Sequence, residues 1–316
     1  MHTKPTSQNS LRATDYFFEG QTAFYRGKVR DVYTIKNQLL VMVASDRISA
    51  FDVVMTEPIP NKGQVLTQLA AFWFQKTSHI IQNHLISADD GDIQRAVEAA
   101  GGVWDDCLNG RVMLCQRTKP LAVEAVVRGY LSGSGWKQYT KTPGHLWGHQ
   151  LPIGLSESER LPNPIYTPSS KETEGHDLPL TIEEAVSHSS GFAAAVEAAA
   201  LDIYAFAAET VDPLGLILAD TKFEFGVHPD GHLLLIDEAL TPDSSRYWLR
   251  DQYQIGISPP SFDKQFVRDY LESVDGWNKQ YPAPTLPPDV IQQTRAKYLD
   301  AYKWITGSDL SYATHG

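Results

Sequence analysis

Cysteine is nearly missing from this chain of 316 residues: only Cys107 and Cys115 occur. No disulfide framework can hold the fold, and both thiols are expected to be small reduced core residues. Positive charge is also in deficit, with 27 Lys and Arg against 38 Asp and Glu, a formal net charge of −11 and a pI near 5.3. A nucleic-acid footprint would be basic, so no nucleic-acid partner is expected, and any anionic ligand must be held by a local cluster of Lys and Arg. No run approaches the roughly eighteen apolar residues of a membrane span. The opening ten residues have no apolar core of the kind a secretory signal needs, so no membrane partner is expected and the expected address is the cytoplasm. The Walker A spacing Gly-x4-Gly-Lys-Ser/Thr is absent, and so is the His-Arg-Asp pattern of a protein-kinase catalytic loop.

What is present is an ordinary globular composition, 42% hydrophobic and 21% charged, on a length that suits two lobes. The first ten or so residues read as a disordered polar lead. Ala23–Ile35 and Leu39–Ala44 flank a turn at Lys36-Asn37-Gln38 and read as an antiparallel hairpin. Gly63–Ser78 has helical apolar spacing, and Asp92–Ala100 reads as a short helix closed by Gly101-Gly102. Arg111–Arg117 and Leu121–Arg128 read as strands, with a helix expected to start near Trp136. Residues 141–180 are rich in Pro, Gly, Ser and charge and read as one long loop, of the kind used as a lid or binding loop. Thr181–Ala208 reads as one helix, and helical stretches at Pro260–Val274 and Pro288–Thr306 precede a frayed tail.

The stretch from Leu216 to Leu240 is the most informative. Two apolar runs flank a His-Pro-Asp-Gly turn, a strong hairpin signal. Alternation puts Asp220, Lys222 and Glu224 on one face and Phe223 and Phe225 on the other. Across a two- or four-residue loop Asp237 joins the first face, whereas an odd loop presents Glu238 instead. Facing residues lie about 5 Å apart at Cβ. Two bare carboxylates there repel by about 3 kcal/mol at an effective dielectric of about 20. Lys222 relieves part of that repulsion and a divalent cation relieves more. The plain alternative is a solvated strand face.

Three further segments carry candidate chemistry. In Tyr25–Tyr33, Gly27 permits close approach to the backbone, and alternation along a continuous strand puts Lys28 and Arg30 on one face. That suits a phosphate cover, or merely an exposed basic face. Ala44–Asp52 collects Ser45, Asp46 and Arg47 at a strand's exit, as a ligand site or as a capped turn. Arg128-Gly-Tyr-Leu-Ser-Gly-Ser-Gly135 offers backbone donors before a helix, and Arg128, Ser134 and Arg246 together could hold a phosphate monoester. His145 and His149 lie among Gly and Pro that oppose a helix, and His228 and His232 flank a turn, so none is read as a metal ligand. The Ala193–Ala200 run is a packing surface.

Five segments in order, Gly27–Tyr33, Ala44–Asp52, Glu124–Gly135, Leu218–Gly226 and Ile236–Arg246, resemble the SAICAR synthetase family. The resemblance implies an α+β fold of two lobes around a kinase-like, ATP-grasp-like nucleotide cleft. Residues 1–124 would form an N-terminal lobe with an antiparallel sheet, and 125–316 a mixed α/β C-terminal lobe. It also implies an ATP-dependent ligase of de novo purine synthesis, joining carboxyaminoimidazole ribotide to L-aspartate through an acyl phosphate; a small-molecule kinase using the same cleft is the alternative. By resemblance, Gly27, Lys28 and Arg30 line the ATP phosphates, with Glu124, Val126 and Val127 as a hinge against adenine. Glu224 and Asp237 hold Mg²⁺, Lys222 neutralises the transferring group, and Asp220 is a further catalytic candidate. Arg128, Ser134 and Arg246 grip the ribotide phosphate, while Ser45, Asp46 and Arg47 lie near the imidazole carboxylate or the aspartate. A monomer or small homo-oligomer is expected.

Overall fold

Where the sequence runs uninterrupted through apolar and β-branched residues, the computed structural model has its two longest strands, Lys119–Tyr130 and Leu216–Val227. The structure describes residues 10–99, 101–171, 177–262 and 264–312. Nearly all of the expected disordered lead lies outside these, as do part of the expected long loop (172–176) and the last residues of the tail. The chain divides into two compact units: one takes residues up to Phe72, His84–Arg117 and Phe262 onward, the other Trp73–Asn83 and Thr118–Ser261. That line differs from the lobes expected at 124/125, because the C-terminal helices group with the N-terminal sheet. All strand pairs named in the two main sheets are antiparallel, and helices cover them, so the architecture is α+β. Among the described residues, no single helix is long and apolar enough to cross a membrane.

In the first unit five strands lie in the order Gln21–Arg26, Arg30–Ile35, Leu39–Ala44, Val112–Gln116 and Leu85–Ser87. The strand expected over Ala23–Ile35 is therefore two strands broken at Gly27–Val29, so the expected hairpin is a three-stranded meander. Phe18, Tyr33, Val41, Val43, Ile93, Val97, Leu108 and Val112 form its core. Helix Asp90–Ala99 closes as expected, with Gly101 in the left-handed region and the Gly102 amide bonded to the Val97 carbonyl. Both cysteines are free thiols, and burial pushes the Cys107 thiol up to about 11.

The second unit is a six-stranded sheet centred on Lys119–Tyr130 and Leu216–Val227. Its edge corrects the expectation of a loop over 141–180: Arg160–Tyr166 and Ser169–Ser170 are strands paired with Lys119–Tyr130. Proline cannot donate to a ladder and belongs on an edge, where Pro162 and Pro164 are found. The expected long helix is two, Ile182–His188 and Ala193–Val211, because Ser190 and Gly191 both take positive φ between them. Thr181 and Glu184 form a reciprocal capping box at the first. The helix after the Gly-Ser turn starts at Gly133, three residues before Trp136.

One face of this sheet is apolar, with Ala125, Val127, Phe223 and Phe225 at most 1% exposed. Helix Ala193–Val211 packs against the sheet. Its Tyr204 hydroxyl donates to the Leu218 carbonyl at 2.7 Å, passing directly over Gly129. A Cβ at 129 would overlap that hydroxyl, so glycine is required by close approach. Gly129→Ala is expected to lower stability by about 1–3 kcal/mol in urea unfolding. Combined with Tyr204→Phe the loss should fall short of the sum of the single losses, since the overlapping atom is already gone.

Candidate active site

The opposite face of the same two strands is charged. Register sets Glu224 against Glu124, Lys222 against Val126 and Asp220 against Arg128, and alternation turns all six to one side. Arg246 flanks Asp220 from the strand Ser245–Leu249. Period-two patterning therefore supplies a polar ligand surface and a core from one pair of strands.

At one end, buried Asp220 accepts from Arg128 Nη1 at 3.2 Å, from the Ser132 hydroxyl at 3.1 Å and from Arg246 Nη1. Arg128 is fixed further by Thr167 Oγ1 at 3.0 Å and Ser134 Oγ at 3.1 Å, and its guanidinium lies 5.3 Å from the Trp147 ring centre. Burial lowers the Arg128 pKa to about 10 against the pull of Asp220, which leaves it protonated at neutral pH. Gly133, at φ 54°, lets Arg246 close in: a Cβ there would fall 2.6 Å from Nη2. The structure thus brings together Arg128, Ser134 and Arg246, the three residues expected to grip a phosphate. Two guanidiniums, a hydroxyl and a helix start converge there.

Farther along the face, Lys222 Nζ pairs with Glu124 and lies 3.5 Å from Glu224 Oε1. Burial opposes its ammonium, but the carboxylates of Glu124, Asp237 and Glu238 together outweigh that and hold the pKa above the ordinary lysine value. Lys171 pairs with Glu224 from the other side. Burial lowers its pKa, opposed chiefly by the charge of Asp237. Lys171 escaped sequence reasoning, as did Thr167 and Ser132. It is a single lysine in a Pro- and Ser-rich stretch, and only pairing with Lys119–Tyr130 brings that stretch here; the Lys171 amide bonds the Ala122 carbonyl at 3.2 Å.

The turn of the hairpin decides how Asp237 is presented. Val227 pairs with Leu233, leaving the odd loop 228–232, which by alternation alone would present Glu238. The strand ends at Ile236, however, and Asp237 adopts φ 63°, where alternation no longer applies. Its charge acts on both Lys171 and Lys222; Glu238 also acts on Lys222 and accepts from Thr241 Oγ1 at 2.6 Å. Asp237 is thus a non-glycine residue in the left-handed region whose charge reaches two lysines.

The other expected residues have the following surroundings. Val127 points into the apolar face, and the Val126 carbonyl accepts from the Thr167 amide at 2.7 Å, so this strand's backbone is engaged by its neighbours. In the first unit, Lys28 is exposed on the turn and paired with Asp52, but Arg30 is buried, so alternation does not join them. Arg47 brings its guanidinium onto the Gly27 carbonyl at 3.0 Å, the Lys28 carbonyl at 3.1 Å and Asp31 at 2.8 Å. Ser45 donates to the Val29 carbonyl at 2.8 Å. Asp46, fully buried, accepts from the Gly63 and Leu11 amides and pairs with Arg111 at 3.0 Å. Arg47 and Ser45 thus bond the carbonyls of the glycine turn, while Asp46 is anchored to Leu11, Gly63 and Arg111. His145 and His149 lie in two short paired strands, and His149 Nε2 contacts the Tyr166 carbonyl at 2.6 Å.

Fold and charged face together define the chain's class: an α+β protein with antiparallel sheets, one of which carries a face of paired cations and carboxylates. The family model for SAICAR synthetase matches residues 23–284, and the chain belongs to that family. It is 52% identical over 286 residues to a phosphoribosylaminoimidazole-succinocarboxamide synthase of Thioalkalivibrio sulfidiphilus, covering 90% of this chain and 94% of that one. A protein of the same name from Trichlorobacter lovleyi is 51% identical over 299 residues, covering 94% and 98%. Among solved structures, a SAICAR synthase from Saccharomyces cerevisiae in complex with SAICAR is 39% identical, with a TM-score of 0.82 over 94% of this chain and 99% of that one.

Asp46→Ala leaves the buried Arg111 guanidinium without its carboxylate and should cost about 3–5 kcal/mol in urea unfolding. Unchanged stability would show that Asp46 is not a structural anchor and would return it to the ligand-binding candidates.

Proposed function

We propose that this chain is the ATP-dependent carbon–nitrogen ligase that condenses carboxyaminoimidazole ribotide with L-aspartate, giving the succinocarboxamide ribotide, ADP and phosphate in de novo purine synthesis. The observation that carries this reading is the charged face. It places a two-guanidinium cradle at Asp220 and a lysine–carboxylate cluster at Glu224, four positions on along one strand. At about 3.3 Å per residue these centres lie about 13 Å apart, on the scale of a nucleoside monophosphate.

The ligand's 5′-phosphate is assigned to Arg128, Ser134 and Arg246, with Asp220 organising both guanidiniums rather than reacting. Its carboxylate then lies toward the lysines. A carboxylate resists attack by an amine, so one of its oxygens first attacks the γ-phosphorus of ATP; the bond to the bridging oxygen breaks and ADP leaves. The aspartate amine then attacks the acyl carbon, a C–N bond forms, the C–O bond to phosphate breaks, and the nitrogen sheds its proton. Neither step needs a protein nucleophile; both need charge held in place. Lys222, its pKa raised, stays protonated near neutral pH and is assigned to the transferring phosphoryl group. Lys171 is assigned beside it. Glu224 and Asp237 offer the hard carboxylate oxygens that Mg²⁺ takes, and with phosphate oxygens they would hold it; bound there, the ion would neutralise triphosphate charge.

Of the remaining candidates, Lys28 and the Gly27 backbone are assigned to the nucleotide phosphates, in the manner of kinase-like and ATP-grasp-like folds. Glu124 and Val126, on the charged face, stay with the nucleotide; Arg30 and Val127 do not. We assign the reaction to the cytoplasm. A small-molecule kinase would yield a stable phosphorylated product, and membership of the SAICAR synthetase family speaks against it.

ADP release is expected only with ribotide, aspartate and Mg²⁺ all present; full-rate release without aspartate would overturn the amide-forming step. Arg246→Ala should raise KM for the ribotide about 10- to 100-fold with little change in kcat, as loss of a charge-assisted grip remote from the reacting bond requires. Lys222→Ala should do the reverse, lowering kcat about 10²- to 10³-fold with KM for the ribotide nearly unchanged. Identical kinetic signatures for the two variants would refute the division of the face into two stations.

A further inference from the structure

The tip of the Leu216–Val227 hairpin carries a second cluster, away from the lysine–carboxylate station. His228, Asp230 and His232 place one ligand atom each within 4.8 Å of one another. The imidazole rings lie 4.7 Å apart centre to centre, tilted by 33°. The backbone fixes this: the His228 amide donates to the His232 carbonyl at 2.9 Å, and Gly231, at φ 92°, completes the turn. The Asp230 amide nitrogen lies 3.3 Å from His228 Nδ1. A carboxylate oxygen of Asp230 lies 3.2 Å from the same Nδ1. Two lone-pair donors so close attract only through a cation they share, either a proton or a metal ion.

We propose that His228, Asp230 and His232 form a chelate site for a late first-row divalent cation of the Zn²⁺, Ni²⁺ or Cu²⁺ class. Two imidazoles and one carboxylate suit those ions, whereas Mg²⁺ takes oxygen ligands. Metal–nitrogen bonds of about 2.0–2.1 Å require the three ligand atoms to close in, and side-chain rotation supplies this at a solvent-open turn. Asp230 and His232 are exposed and His228 is half-buried, so an ion can enter and water can fill its remaining positions. The chelate links both arms of the hairpin. One arm carries Lys222 and Glu224, and the other leads into Asp237. A bound ion therefore staples the register on which those groups depend.

The test uses the untagged full chain. Zn²⁺ and Ni²⁺ titrations followed by calorimetry should show a site weakened at least tenfold by His232→Ala and by Asp230→Asn, and unaffected by excess Mg²⁺. His2→Ala, which removes an imidazole remote in sequence from the turn, should leave it intact. Bound Cu²⁺ should show hyperfine coupling to imidazole nitrogens in its electron paramagnetic resonance spectrum, reduced in His232→Ala. Circular dichroism of the variants should match the parent, since the replaced side chains are at the surface. No binding, equal affinity in His232→Ala, loss in His2→Ala, or displacement by Mg²⁺ would each overturn the proposal. None of these readouts depends on ligase activity, so failure here leaves the catalytic reading untouched.

Discussion

Two guanidinium groups can share one end of a sheet face only because the Asp220 carboxylate lies between them. Like charges at such range repel by several kcal/mol where water is scarce, and Arg128 is buried. A carboxylate bonded to both reverses the sign of the local energy and fixes each fork in orientation. Both guanidiniums are thereby held beside the start of the Gly133–Lys141 helix, and Arg128 donates to the Ser134 hydroxyl. On the proposed function, Asp220 acts on the ligand through the arginines. A carboxylate at that point would by itself repel a phosphate.

The same logic governs the other station with the signs exchanged. Glu124 and Glu224 face each other across the ladder, an arrangement that destabilises a sheet when the charges are bare. Lys222 lies between them, and Lys171 takes the outer side of Glu224. Without ligand the lysines neutralise the carboxylates. A triphosphate with its cation would engage both sets at once, so the ion pairs hold each group near its working position and prevent collapse of the face. Because the folded-state pKa of Lys222 is raised, its stabilising contribution is present at all pH values below the ordinary lysine value and fades only as pH climbs through the higher, folded-state one. Acidification toward neutral pH does not disturb this element.

Strand alternation was legible in the sequence because it is local. Asp220, Lys222 and Glu224 on one face, and Phe223 and Phe225 on the other, follow from adjacency alone, and so does the grouping of Arg128 with the Gly-Ser turn. What escaped depends on partners distant in sequence. The Pro-rich stretch around Arg160–Tyr166 has no strand signal, yet an edge position tolerates its prolines and pairing with Lys119–Tyr130 makes it a strand. Lys171 reaches Glu224 only as a consequence of that pairing. Ser45 and Arg47 have the composition of a ligand site, and only the fold reveals that they also bond the carbonyls of Gly27, Lys28 and Val29. Periodicity also joined Lys28 to Arg30 across a chain reversal that composition does not reveal.

Asp237 shows how a local rule can fail and still leave its residue at the site. An odd loop turns the alternate residue, Glu238, toward the Glu224 face, and a regular strand would have put Asp237 on the apolar side. Ending the strand at Ile236 with a left-handed residue cancels that consequence. Asp tolerates this conformation better than β-branched or bulky residues do, so the conformational cost stays small. The reversal also releases Glu238 to bond Thr241, which leads toward the strand bearing Arg246. One unusual backbone angle thus presents a carboxylate to the lysines and turns the chain toward the residue that completes the arginine cradle, which couples the two stations through a segment of ten residues from Asp237 to Arg246.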